Sequence, residues 1–221
     1  MEKLNNILII FHAIAGFTAF FIGPIAIFTD KFGRVHKQVG RVFAIAMAIV
    51  FVTAVVVSIY KGNAFLFMVG VFSFYSVFSG VRILRLKKLH TSQKAQWYDW
   101  AIHGVFIITC FAFMAYAGLL FHKIGAEVLP ILCSLFGVGG LFSIRANLRP
   151  FFNKKLAPNF WLDYHRANMI GAYIATVTAF SAQNLHFLPG LVQWIWPTLI
   201  ILPLSSFFNR KYNIQKEKPT Q

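Results

Sequence analysis

Acidic side chains are nearly missing from this chain: six Asp and Glu stand against 21 Lys and Arg, for a formal charge of +15. Charge of either sign is scarce too, at 12% of 221 residues, about half the share a soluble domain carries. That scarcity excludes an ordinary water-soluble domain. Cysteine is limited to Cys110 and Cys133, both inside apolar runs. This excludes a disulfide framework and a CxxC metal motif, and leaves two small buried hydrophobes. No nucleophile elbow, Walker sequence or HExxH occurs, and Gly137, Gly139 and Gly140 sit in too apolar a context for a phosphate loop. The cations lie only between apolar runs, without aromatics placed for base stacking, so nucleic acid is not an expected partner.

What the chain does have is apolar length. Hydrophobic residues make up 58% of it, with 26 Phe, more than a soluble core can hide but suited to a bilayer. About 20 apolar residues span the hydrocarbon core as a helix. Seven runs meet that need: 4–28, 42–60, 64–84, 98–121, 127–146, 163–187 and 190–208. The first is too long for a signal-peptide core and reads as a membrane helix. The expected fold is all-α, a bundle of seven transmembrane helices as a single domain over 1–208, with a polar cytoplasmic tail over 209–221. Pro24 beside Gly23 predicts a kink in the first span.

The connectors set an orientation. Arg and Lys concentrate in the first, third and fifth loops and the tail, leaving only Lys3, Lys61 and Lys123 for the other side. By the positive-inside rule the N-terminus is outside and the C-terminus cytoplasmic. Trp97, Trp100 and Trp161 fall at cytoplasmic span ends, and Trp194 and Trp196 near the outer end of the last span, as interfacial tryptophans do. The expected location is a bacterial inner membrane, with anionic lipid as partner of the basic loops.

Polar residues in spans carry the functional signal. His103 follows Asp99 by one helical turn in span four. His165 opens span six beside Asp163, and on its face follow Asn168, Ala172, Thr176 and Gln183. His36 stands just before span two. If spans two, four and six are neighbours, His36, His103 and His165 meet as metal ligands, with Asp99 as orienter or base. His12 heads a stripe of small residues, Ala15, Gly16, Ala19, Gly23 and Ala26. The stripe suits close helix packing, within the chain or against a second copy; alternatively it is the bed of a flat haem b with His12 as axial ligand. Gly70, Ser73, Val77 and Gly80 make a second small face, on span three.

"HAIAGFTAFFIGP" followed by "DKFGRVHKQVGRVFAIAM" resembles bacterial membrane proteins of domain-of-unknown-function family 2306. The matching positions are His12, Gly16, Lys31, Gly33, His36, Gly40 and Arg41. "SGVRILRLKK" and "YDWAIHGV" look like that family's third and fourth spans, at Gly80, Arg82, Asp99 and Trp100. "WLDYHRANMIGAYIATVTAF", with His165, is similar to a motif of related multi-pass proteins. The resemblance touches most of the first 180 residues and implies a multi-pass membrane protein without naming an activity. Two larger groups invite comparison. Di-haem membrane cytochromes use paired histidines at matched depth, and clear pairs are lacking here. Seven-helix zinc hydrolases of lipid amides use three His, an Asp and a Ser, a set that His36, His103, His165 and Asp99 would mimic, without those enzymes' last-helix HxxxH. Three functions follow as expectations. The first is a redox protein binding haem or another metal through histidine. The second is a metal-dependent lipid hydrolase using zinc. The third is a non-catalytic carrier or assembly protein.

Overall fold

The computed structural model describes residues 2–89, 91–153 and 155–217, with side chains through Ser206. Among them are seven α-helices and no strand: α1 (Glu2–Phe28), α2 (Arg34–Tyr60), α3 (Ala64–Arg82), α4 (Trp97–Ile124), α5 (Val128–Phe152), α6 (Phe160–Asn184) and α7 (Gly190–Glu217). His90, Lys154 and Lys218, which the sequence assigns to the connectors and tail, lie outside the described residues. α1 to α5 are each long and apolar enough to cross a membrane, while α7 offers a shorter apolar stretch, Gly190–Ser206. α6 is diluted by polar side chains that it buries, Asn168, Thr176, Thr178 and Ser181.

The outer surface is apolar. Phe21, Ile45, Ile108, Phe142 and Leu199 are 64, 62, 69, 71 and 67% exposed. Soluble proteins do not present such a belt; a bilayer covers it.

Several helices run past their apolar cores. α2 begins at Arg34 rather than 42, so His36, Lys37 and Arg41 sit in its first turns. α5 continues to Phe152, carrying Arg145 and Arg149, and α7 remains helical to Glu217 instead of giving way to a tail after 208. Arg, Lys and Gln are good helix formers, and their long stems let a charged turn extend a span into the headgroup layer. α1 passes through Pro24 as one helix. α4 opens with a capping box, in which Gln96 and Asp99 each satisfy a backbone N–H of the other. It ends at Gly125, whose φ of 72° is the left-handed region that favours glycine.

α3 is the hub, packing on α2, α4, α5 and α6. α1 pairs with α2 and also meets α6, α4 pairs with α5, and α7 closes against α5 and α6. Contacts between helix ends sort the bundle into two poles. At one, the C-terminal ends of α1, α3 and α5 meet the N-terminal ends of α2, α4 and α6, and the basic connectors gather there. At the other, Phe65, Met68, Phe113, Ala117, Leu132 and Cys133 form an apolar cluster with Phe136 and Trp194 against it. Trp194 thus packs inward on Phe65 at 5.3 Å between centroids. Trp196 donates its indole N–H to buried Ser181 at 2.7 Å. Both Trp194 and Trp196 thus make contacts within the chain.

The small face of α1 also meets its own chain. Ala19 is fully buried in a cluster with Phe43, Ala46, Met47, Val77 and Ala172. At Gly23 the Tyr173 ring occupies the place a Cβ would need. Ala15, Ala19 and Gly23 of the stripe are buried within the chain, Ala19 against α2, α3 and α6, while Gly16 has open space beside it. The span-three face is likewise internal: Gly80 abuts Asn168 and Met169 of α6.

Candidate functional site

Two polar clusters occupy the basic pole. The first joins α3, α4, α5 and α6. The sequence points to Asp99 and His103 but not to their partners. Asp99, 1% exposed, accepts from Arg82 through both oxygens, Nε to Oδ1 at 2.6 Å and Nη2 to Oδ2 at 2.9 Å. Its Oδ2 also accepts the Gln96 backbone N–H at 2.8 Å. A bidentate, capped carboxylate of this kind fixes Arg82 and the start of α4 together. Arg82 further lies over the Tyr98 ring, 4.8 Å from its centroid.

One turn deeper, His103 Nδ1 pairs with the Tyr75 hydroxyl at 3.0 Å, and its ring sits edge-on to Phe151 at 5.3 Å. Tyr75 in turn stacks on Phe106. Asn147 of α5 and Asn168 of α6 exchange two amide hydrogen bonds, at 3.1 and 2.7 Å. Between these groups lies a cavity of about 20 Å³, lined among others by Ser79, Arg82, Asp99, His103, Asn147 and Tyr164. That is room for one water. The Ser79 hydroxyl oxygen is buried and finds no protein partner.

The second cluster joins the α1–α2 connector to α6. His36 Nδ1 bonds the Ala26 carbonyl at 2.9 Å, and His165 Nδ1 bonds the Gly80 carbonyl at 2.7 Å. A carbonyl only accepts, so each Nδ1 carries the proton, and in the neutral ring Nε2 is left with its lone pair. Both carbonyls belong to the last turn of a helix, where no onward helical donor exists. At α3 that turn tightens into a 3-10 turn, Ile83–Arg85. The two rings stand 6.3 Å apart, inclined at 81°. Nearby, Lys31 caps α1 by donating to the Ile27 carbonyl, and Arg166 pairs with exposed Asp163 at 2.5 Å. Burial, and then the Arg166 charge, push the Lys31 ammonium below the ordinary lysine range, with Asp30 pulling the other way.

The three histidines expected to meet are placed apart, His103 away from the other two. Among the described residues no three His, Cys, Asp or Glu side chains converge as a metal site. The cause is the packing order: α3 stands where the set would need α2, α4 and α6 to be mutual neighbours. His36 and His165 meet on one side of it, while His103 is held by Tyr75 on the other. His36, His103 and His165 thus do not come together at one place. The polar stripe of α6 is also broken up. Asn168 pairs with Asn147, Thr176 bonds the Ala172 carbonyl and touches Met47 Sδ at 3.3 Å, and Gln183 is exposed. His12 stands apart, bonding Thr53 Oγ1 at 3.0 Å, with the Thr53 hydroxyl itself committed to the Ile49 carbonyl at 2.7 Å.

Tyr75, Ser79 and Asn147 are not among the candidates read from the sequence, and Arg82 enters there only as a position of the family resemblance. A signal for three of them existed: Tyr75, Ser79 and Arg82 follow at i, i+4 and i+7, one polar face of a span otherwise apolar but for Ser73 and Ser76. No family model, curated protein or solved structure matches the chain, and the residues themselves carry the functional argument.

Proposed function

We propose that this chain is a seven-span protein of a bacterial inner membrane, with its N-terminus outside and its basic pole in the cytoplasm. In this reading His36 and His165 together hold a redox-active metal centre, of which haem iron is the best match. The gathering of the basic connectors at one pole supports the orientation. The resemblance to family 2306, which rests partly on His12, His36 and the basic loop, agrees with a multi-pass protein.

The observation that carries the metal reading is the ring pair. Metal-bound histidines commonly tie their other ring N–H to a carbonyl, which fixes the tautomer and aims the free nitrogen. With ring centroids 6.3 Å apart and both Nδ1 protons tied to carbonyls, the two Nε2 lone pairs are the groups that would hold a metal here. Lys31 and Arg166 disfavour a bare dication but complement a centre that brings carboxylates, as haem does. Such a centre, when bound, would supply one-electron redox chemistry, with His36 and His165 holding it.

The test is spectroscopic. The full chain, purified in mild detergent, is expected to show a Soret band that shifts on reduction. His36→Ala and His165→Ala each abolish it, while His103→Ala and His12→Ala retain it. Absence of both colour and bound metal would overturn the proposal, as would a band that survives both of the first two substitutions.

A further inference from the structure

The connector between α3 and α4 forms an open bowl of about 550 Å³, lined by Arg82, Arg85, Leu86, Ser92, Gln93, Lys94, Gln96 and Tyr98. This volume lies within the range of small-ligand sites. Among the described residues, three cations face it and no acidic side chain lines it. Asp99 stands behind Arg82 and engages its Nε and Nη2, which leaves the Nη1 end of the guanidinium uncommitted by that pair. We propose that this bowl binds the phosphate of an anionic headgroup, with Arg85 and Lys94 as its principal charges and Ser92 as a hydroxyl donor.

The bowl is built in advance of any ligand. Gln93 closes its rim by accepting the Lys88 N–H at 2.8 Å and donating to the Arg85 carbonyl at 3.0 Å. The Ser92 and Gln93 amides both return to the Lys88 carbonyl, at 2.9 and 3.0 Å. Lys87 is turned away onto the Trp161 ring, 4.1 Å from its centroid. Arg85 and Lys94 therefore stand on a fixed loop, and less order has to be imposed when an anion binds. Trp97, 79% exposed, and Trp100, 45% exposed, lie on the next turn of chain. Such side chains mark the headgroup layer and place the bowl where lipid phosphates are concentrated. The site is independent of the histidine pair. Its assignment to the cytoplasmic leaflet rests on the orientation proposed above.

Native mass spectrometry of the full chain in detergent tests this without reference to orientation, because both faces are accessible. The probes are phosphatidic acid and phosphatidylcholine with identical acyl chains. Phosphatidic acid is expected to bind preferentially. Arg85→Gln with Lys94→Gln should weaken it roughly 30-fold, at about a factor of five per basic residue. Arg34→Gln with Lys37→Gln removes equal charge from another connector at the same pole and should leave the preference intact. Equal loss in both double variants, or no preference for phosphatidic acid in the unaltered chain, overturns the site. Glycerol phosphate distinguishes the source of the anion. Competition by it supports a bowl open to free phosphate esters, and lipid binding that resists it supports a headgroup site. If the double Gln variant is poorly folded, Gln93→Ala keeps every charge while loosening the rim. It should weaken phosphatidic acid several-fold, and an unchanged affinity would count against the preformed bowl.

Discussion

The same three helices, α3, α4 and α5, build two unlike poles. At one, Phe65, Phe113 and Phe136 stack in a dry cluster closed by Trp194. At the other, those helices set half-buried Arg82 and buried Asp99, His103 and Asn147 around a cavity with room for one water. The aromatic pole needs nothing more than packing to explain it. The basic pole needs a separate reason, since each buried polar group loses hydration and regains it only through a matched partner. Nearly all do find one here, and the Ser79 hydroxyl, which does not, borders the cavity. Buried polar groups in a membrane helix bundle are concentrated where function is.

Substitutions break or sharpen this contrast. A large effect is expected from Asp99→Ala, which strands Arg82 beside the cavity and unties the start of α4. Asp99 is buried but Arg82 only half-buried, so the cost should fall at or below the lower end of the roughly 3–5 kcal/mol of a fully buried pair, measured as a fall in unfolding temperature in detergent. Asp99→Asn should lose less, because it keeps the Gln96 cap. Phe113→Ala opens a void at the dry pole and should cost about 3 kcal/mol. It should leave any His36- and His165-dependent spectrum unchanged. A spectrum that collapses in Phe113→Ala while the fold persists would show that the poles are not separable. The smallest effect belongs to Tyr75→Phe, which removes one hydrogen bond to His103. About 1 kcal/mol or less is expected, as for interhelical hydrogen bonds in membranes generally, read from the same unfolding curve.

Apolar run length alone located all seven helices, because a long uncharged run has few other outcomes than a helix. It missed the ends of α2, α5 and α7, since hydropathy stops at the first cations while helix propensity does not. Asp99, His103, His36, His165 and Asn168 were legible as polar exceptions in or beside apolar spans. Their partners were not. Which histidines meet depends on lateral packing order, and nothing in a run of Phe, Ile and Val states that α3 stands in the middle. The Ala26 and Gly80 carbonyls were invisible for a different reason: they are backbone atoms whose availability depends on where a helix ends.

Gly80 and Tyr75 lie on one short rod, only five residues apart. One backbone oxygen of that rod holds the His165 ring, and one side chain holds His103, on opposite flanks. A slide of α3 along its axis by even a single residue's rise, about 1.5 Å, would exceed the tolerance of both hydrogen bonds. Any stimulus that displaces this helix would therefore register simultaneously at His165 and at His103, a mechanical linkage between two centres on opposite flanks of α3.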